Sequence, residues 1–223
     1  MRAETRLAGQ TLQLLPERAV FWPAQGILLL ADVHLGKDQV FRRFGMAVPA
    51  GVLAADLARI DALLAGTGAE RLIVLGDWVH APPRDGEAWP AEIAAWRDRH
   101  QQLVIDLVLG NHDRALDVWL TVWGMRGHQT SLDLGGLRLV HEWSDAGDQP
   151  GLSGHLHPGA VIRHGRQRLR LPAFLLGAQH LVLPAFGRFT GLMDQTPFPA
   201  EQCWVIAGER VLPAPVPKDC IRA

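Results

Sequence analysis

A chain of 223 residues is long enough for one sizeable domain with its own core. Hydrophobic residues at 48% and charged residues at 20% exclude a disordered polymer. A formal net charge of -1 excludes any global electrostatic signature of a nucleic-acid or membrane partner.

Residues 12–15 and 19–22 read as two short strands split at Pro16-Glu17. Residues 26–31 form an unbroken apolar run ending at Asp32, the pattern of a strand buried on both faces. Apolar residues at 52, 53, 57, 60, 63 and 64 predict a helix over 51–64. A second buried strand over 71–75 ends at Gly76-Asp77. A helix over 91–102 turns Ile93 and Trp96 inward, and a third strand over 103–109 ends at Gly110-Asn111. This alternation implies an α/β core with parallel character. Beyond Gly127 the reading is mostly β, with short strands at 128–134, 137–141, 152–154, 160–163, 168–171, 181–183 and 203–206. A second sheet packed on the first is expected. The longest apolar stretch, 26–33, is too short to span a bilayer. The start, Met1 to Arg6, lacks a signal-peptide apolar region. Cys203 and Cys220 are too few for a disulfide framework or a zinc knuckle. A soluble, cytoplasmic chain with reduced thiols is expected.

Five motifs fall at or near strand ends: Asp32-Val33-His34, Gly76-Asp77-Trp78-Val79-His80, Gly110-Asn111-His112-Asp113, a lone His141, and Gly154-His155-Leu156-His157. Ligands of α/β folds gather at such ends. Asp32, His34, Asp77, Asn111, His141, His155 and His157 make seven candidate metal ligands, too many for one tetrahedral ion. On an extended strand Asp32 and His34 share a side, as do His155 and His157. Asp77 has two oxygens with which to bridge. A mixed oxygen and nitrogen set without thiolate favours two Mn²⁺ ions, with Fe or Zn²⁺ as alternatives, over Ca²⁺ or Mg²⁺. Two ions roughly 3.5–4 Å apart can share a hydroxide that attacks phosphorus in line. His112 is placed to give a proton to the leaving group, and Asp113 to orient it. Neither a Gly-x-Ser-x-Gly elbow nor a Walker A loop competes.

These five ordered blocks resemble the calcineurin-like metallophosphoesterase superfamily. The resemblance implies one metallophosphoesterase domain over 1–223, a two-sheet sandwich of mixed sheets flanked by helices, with the site in strand-end loops. It implies that one ion takes Asp32, His34, Asp77 and His157. The other takes Asp77, Asn111, His141 and His155, with His112 as catalytic imidazole. His80 stands where the phosphoprotein phosphatase branch has an aspartate paired with that histidine. A protein phosphatase is therefore not expected, and the partner of His112 stays open. The flanks Ala19 to Pro23, Lys37, Phe41 to Gly45, Val48-Pro49 and Leu183 to Gly191 resemble the bacterial ligase-associated DNA damage response endonucleases. That finer resemblance implies a DNA phosphodiester substrate and a DNA ligase and helicase as companions.

His80 is expected to support a ligand or touch substrate rather than bind metal. Lys37, Arg42, Arg43 and Arg114 are further candidates for supporting the ligands or touching substrate. Arg163, His164, Arg166, Arg168 and Arg170 form a denser basic run, either a phosphate track or a charged edge strand. Trp78 and Trp143 have either base stacking or, more commonly, core packing open to them. His100, His128 and His180 are expected to be structural or exposed. Two rival functions remain at this stage: hydrolysis of small nucleotide diesters or pyrophosphates, and a metal-bound repair scaffold without turnover.

Overall fold

The computed structural model describes residues 1–165, 167–193 and 196–217. Arg166, Lys218 and Cys220 lie outside the described residues. Strands β1 (Ala3–Leu7), β2 (Gln10–Leu15), β3 (Ala19–Trp22) and β4 (Ile27–Leu30) form an antiparallel meander. Helices α1 (Lys37–Arg43) and α2 (Val52–Thr67) lead to β5 (Arg71–Leu75). Helix α3 (Trp89–Arg99) leads to β6 (Val104–Val108), and α4 (Asp117–Val122) to β7 (Arg126–His128). Strands β4 to β7 are parallel, so the first sheet has seven strands in sequence order.

The second sheet has eight strands: β8 (Ser131–Leu134), β9 (Leu137–Val140), β10 (Gly151–Ser153), β11 (Gly159–His164), β12 (Gln167–Leu176), β13 (His180–Val182), β14 (Gln202–Ala207) and β15 (Arg210–Ala214). Their order is β15-β14-β12-β13-β10-β9-β8, with β11 paired to β12. Strand β10 runs parallel to both β9 and β13.

The period-two pleat explains the unbroken apolar run in β4. Leu28 and Leu30 face Leu57, Ile60 and Trp96 on the helix side. Ile27, Leu29 and Ala31 face the opposite side, in one cluster with Leu139, Leu152 and Phe174 of the second sheet. Both faces are dry, so both are apolar. Among the described residues no α-helix contributes to the outer face of the second sheet. Phe198 and Trp143 pack there against Leu175, Val182 and Val205. Trp78 is fully buried in the helix-side core, so both tryptophans serve packing. No helix is long and apolar enough to cross a membrane.

Three expectations change. The single strand expected over 128–134 is two, because His128 ends β7 in the first sheet and Ser131 opens β8 in the second. Strand propensity is local and carries no information about which sheet a residue joins. The strand expected to stop at 171 continues through Pro172, where β12 changes from pairing β11 to pairing β14. Strands β1 and β15 and helices α1 and α4 add elements with weaker apolar patterns.

His180 is buried against Phe198, with centroids 6.2 Å apart, and its Nε2 has no hydrogen-bond partner among the described residues. Burial lowers its pKa from the usual 6.5 to about 4. Folding thus keeps the ring neutral where the unfolded chain would protonate it. Stability contributed by the neutral ring is full above pH ~6.5 and is lost as pH falls toward ~4, by up to about 1.4 kcal/mol per pH unit. His180→Asn should remove that slope from urea denaturation curves between pH 7 and pH 5. An unchanged slope would mean that other groups carry it.

Candidate metal centre

Each motif leaves the carboxyl end of a strand: β4, β5, β6, β9 and β10 in turn. Past β4 and β5 the chain continues to pair, with Asp32 N–H donating to Gly76 O at 3.1 Å and His34 N–H to Asp77 O at 2.9 Å. The backbone is not extended there. Asp32, His34, Asp77, His155 and His157 have φ of 53°, 52°, 55°, 66° and 44°. Each non-glycine residue in this left-handed region costs about 1–2 kcal/mol. Strand alternation therefore does not set where these side chains point; the turns re-aim them. Gly154 is required by proximity, since a Cβ there would meet Asp32 Oδ2 at 2.6 Å. Gly76 combines φ of +80° with a Cβ position inside the His141 ring.

Three buried or half-buried groups have ligand atoms within 4.8 Å of one another: Asp32, His34 and His157; Asp32, Asp77 and His141; His34, His80 and His112. Asp32 is fully buried and accepts the His155 N–H at 2.9 Å. His157 Nε2 stands 3.4 Å from its Oδ1. Asp77 lies between the groups, with Oδ2 3.8 Å from His34 Nε2 and Oδ1 3.7 Å from His141 Nε2.

The tautomer of His141 tests whether a cation fits. Its Nδ1–H donates to Leu75 O at 3.0 Å, and a carbonyl can only accept. The neutral ring therefore presents a bare lone pair on Nε2. That lone pair faces Asn111 Oδ1 at 3.0 Å and His155 Nδ1 at 3.0 Å. Asn111 Oδ1 and that lone pair are both acceptors and repel at this distance unless a cation sits between them, while the His155 tautomer sets whether its Nδ1 donates or accepts. Adjacent ligands at about 2.1 Å from one ion would themselves be about 3 Å apart. His34 supports the same reading, because its buried Nε2 has no hydrogen-bond partner among the described residues. Burial, followed by the nearby Lys37, His157, His112 and His80, pushes its pKa down to about 2, leaving a neutral ligand. Burial raises the Asp77 pKa, and His141 opposes that shift.

His112 has a main-chain partner. Its Nδ1–H donates to His80 O at 2.6 Å, and its backbone N–H to Asp77 Oδ1 at 2.9 Å. Its ring stacks on His80 at 4.9 Å and meets His34 edge-on at 5.0 Å. Burial and the charges of Lys37, His112 and Arg43 lower the His80 pKa to about 4. The expected role of Asp113 is corrected. Its buried carboxylate accepts three backbone N–H groups, from Asp77 at 2.6 Å, Gly110 at 2.9 Å and Val79 at 3.3 Å. Asp113 thus ties the second motif to the third and does not hold the His112 ring. Burial raises its pKa to about 6 against the pull of those bonds.

The basic candidates divide. Lys37 is half-buried at the start of α1, where burial lowers its pKa and Asp77 opposes the shift. Arg42 is turned inward to Val48 O, Pro49 O and Asp38, and Arg43 to Glu87 at 3.4 Å. Arg42 and Arg43 thus hold their own loop, which leaves Lys37 as the candidate of the three that lies toward Asp77. Arg114 is exposed and lines a cavity of about 490 Å³ with Asn111, His141, His155, Glu142 and Asp145. In the β11–β12 hairpin Arg163 lies opposite Arg168, so Arg163, Arg168 and Arg170 share a face. Arg166 and the His164 side chain lie outside the described residues. His100 and His128 pair with Asp61 and Asp106 at 2.8 Å and 2.7 Å, and lie outside these groups. The carbonyls of Leu75 and His80 carry no sequence signal, since every residue has one.

No family model matches the chain, and no curated protein does. Among solved structures it is similar to the Pseudomonas putida nuclease MPE, with 38% identity over 96% of this chain and 100% of that one, at a TM-score of 0.82. More distant are the Escherichia coli phosphoesterase YfcE, with 16% identity over 85% of this chain and 98% of that one, at 0.45. The Aquifex aeolicus protein AQ665, of unknown function, has 16% identity over 63% and 81%, at 0.41. Neither distant likeness carries an argument about this chain.

Asp113→Ala should leave three buried N–H groups unpaired, each at about 1–3 kcal/mol. A loss of several kcal/mol in chemical denaturation is expected. A loss of turnover at native stability would instead restore the orienting role.

Proposed function

The chain belongs to the calcineurin-like metallophosphoesterase family represented by the Pseudomonas putida nuclease MPE, and from that premise we propose a metal-dependent phosphodiesterase acting on DNA. It is a phosphoric ester hydrolase whose buried His and Asp groups can hold divalent metal. The observation that supports the reading most directly is the His141 Nε2 lone pair facing a second acceptor, Asn111 Oδ1, at 3.0 Å. Two ions are proposed, with Mn²⁺ first. Asp32, His34, Asp77 and His157 would hold one; Asp77, Asn111, His141 and His155 the other. When bound, such ions polarise phosphoryl oxygens and acidify water.

The chain's own groups do the rest. The His80 carbonyl accepts the His112 Nδ1–H, so it is the imidazolium form of the ring whose Nε2–H would pass a proton to the departing oxygen, leaving the neutral Nδ1–H tautomer. Stacking on His80 and edge contact with His34 hold that ring in orientation. Lys37 adds positive charge for phosphoryl oxygens, and the cavity beside Asn111 and Arg114 gives room for the departing group. A DNA substrate and companion ligase and helicase rest on the flanks around Phe41 to Gly45 and Leu183 to Gly191.

Purified protein with Mn²⁺ should hydrolyse an aryl phosphodiester and nick DNA. His112→Ala should lose about 100-fold or more in kcat with metal content unchanged. Asp77→Asn should lose bound metal by elemental analysis. Metal-loaded protein inert toward DNA, cyclic nucleotides, nucleotide sugars and aryl diesters would defeat the reading.

A further inference from the structure

An arginine-lined cleft lies on the same edge of the sandwich as the metal centre. Strands β4 and β10 end at that edge. Strand β3, antiparallel to β4, starts there, which brings the Pro16 to Arg18 turn alongside. Strand β13 is parallel to β10, and β12 and then β14 reverse in turn, which brings Gly208 and Glu209 to the same edge. Between them is a cavity of about 340 Å³ whose walls include Arg18, Arg59, Arg188 and Pro172, with Glu17 and Glu209 also present.

The segment 185–187 separates this cleft from the metal centre and touches both. On one side Phe186 N–H donates to Ala31 O at 2.8 Å and Gly187 N–H to Asp32 O at 3.2 Å. On the other, Arg18 donates through Nη1 to Ala185 O and Gly187 O at 3.2 and 3.3 Å. Arg59 donates to Phe186 O at 3.0 Å and to Glu17 O at 2.8 Å, with its guanidinium 3.9 Å from the Phe186 ring centroid. Asp56 pairs with Arg59 at 2.8 Å. Arg18 and exposed Arg188 have no salt bridge among the described residues; Glu17 and Glu209 equal them in number but pair with neither, so two guanidiniums are left without an ion partner. Burial, then Arg59 and Arg188, lower the Arg18 pKa to about 10. An anion would relieve that mutual repulsion, and the guanidinium fork suits phosphate oxygens.

We propose that this Arg18–Arg59–Arg188 cleft is a second phosphate subsite, holding a backbone phosphate of the nucleic-acid strand whose scissile phosphate lies at the metal centre. It rests on the nucleic-acid reading above. Arg18 and Arg59 form a pre-ordered wall, since carbonyls already fix their side chains. Arg188 supplies the solvent-facing charge at the mouth. Exposed Glu17 and Glu209 line the same cleft, so a phosphate is favoured only against the arginine wall.

Arg188 is the residue to test, because it is exposed and no hydrogen bond of the segment depends on it. Binding of a labelled oligodeoxynucleotide is measured across salt concentrations with metal-loaded His112→Ala protein, with and without Arg188→Glu. The charge reversal should raise Kd on the order of tenfold and reduce the slope of log K against log salt by about one or more. In chains with His112 intact, Arg188→Glu should cost more kcat/KM on the oligonucleotide than on a small aryl phosphodiester, which cannot reach both places. An unchanged Kd and salt slope overturns the subsite alone. Equal losses on both substrates also overturn it, assigning Arg188 to support of the Asp32 turn. Protein that hydrolyses the aryl diester yet binds no oligonucleotide overturns both the subsite and the nucleic-acid reading.

Discussion

The Asp32 carboxylate accepts the His155 backbone N–H across the join between the two sheets, and the metal centre depends on that bond. A fully buried carboxylate is costly unless its oxygens are satisfied. Here the His155 N–H from the second sheet is a donor to both oxygens, and His157 Nε2 stands 3.4 Å from Oδ1. The bond draws the end of β10 against the end of β4, and Gly154 permits the approach because a side chain there would strike Asp32. The two sheets form separate ladders, so motifs on both converge only where such cross-sheet bonds fix them.

Around that join the backbone is strained in a consistent way. Five of the seven candidate ligands occupy left-handed conformations that non-glycine residues avoid. The neighbouring network over-determines them: Asp113 gathers three N–H groups, and Phe186 and Gly187 hold the carbonyls of Ala31 and Asp32. Strain of this kind persists where several contacts oppose relaxation, and it pre-organises a site. The repulsion between His141 Nε2 and Asn111 Oδ1 is of the same character. A cation turns that cost into coordination energy.

Much of the architecture was legible because hydrophobic periodicity is a local signal. The doubly buried run before Asp32 and the helical spacing from Leu53 to Leu64 follow directly from which faces are dry. The break between His128 and Ser131 was not legible, because sheet membership is a long-range property. The candidate ligands were legible as residue types at strand ends. Asp113 was misread because adjacency to His112 suggested a contact, whereas three N–H groups already claim its oxygens. For Arg42 and Arg43, charge in a sequence does not reveal that Val48 O, Pro49 O and Glu87 take it up.

The sequence by itself determined which groups are candidates to bind metal, their order along the chain, and the strands that carry them. These depend on side-chain chemistry and on local burial patterns. The tertiary structure alone decided that His80 contributes its carbonyl to His112, that Leu75 O sets the His141 tautomer, and that Arg18 and Arg59 hold the segment beside Asp32. Backbone carbonyls are identical at every position, so only the folded chain gives them distinct tasks. The same holds for the arginine cleft, whose three cations come from a turn, a helix and a loop remote in sequence and meet because the strand directions return all three to one edge.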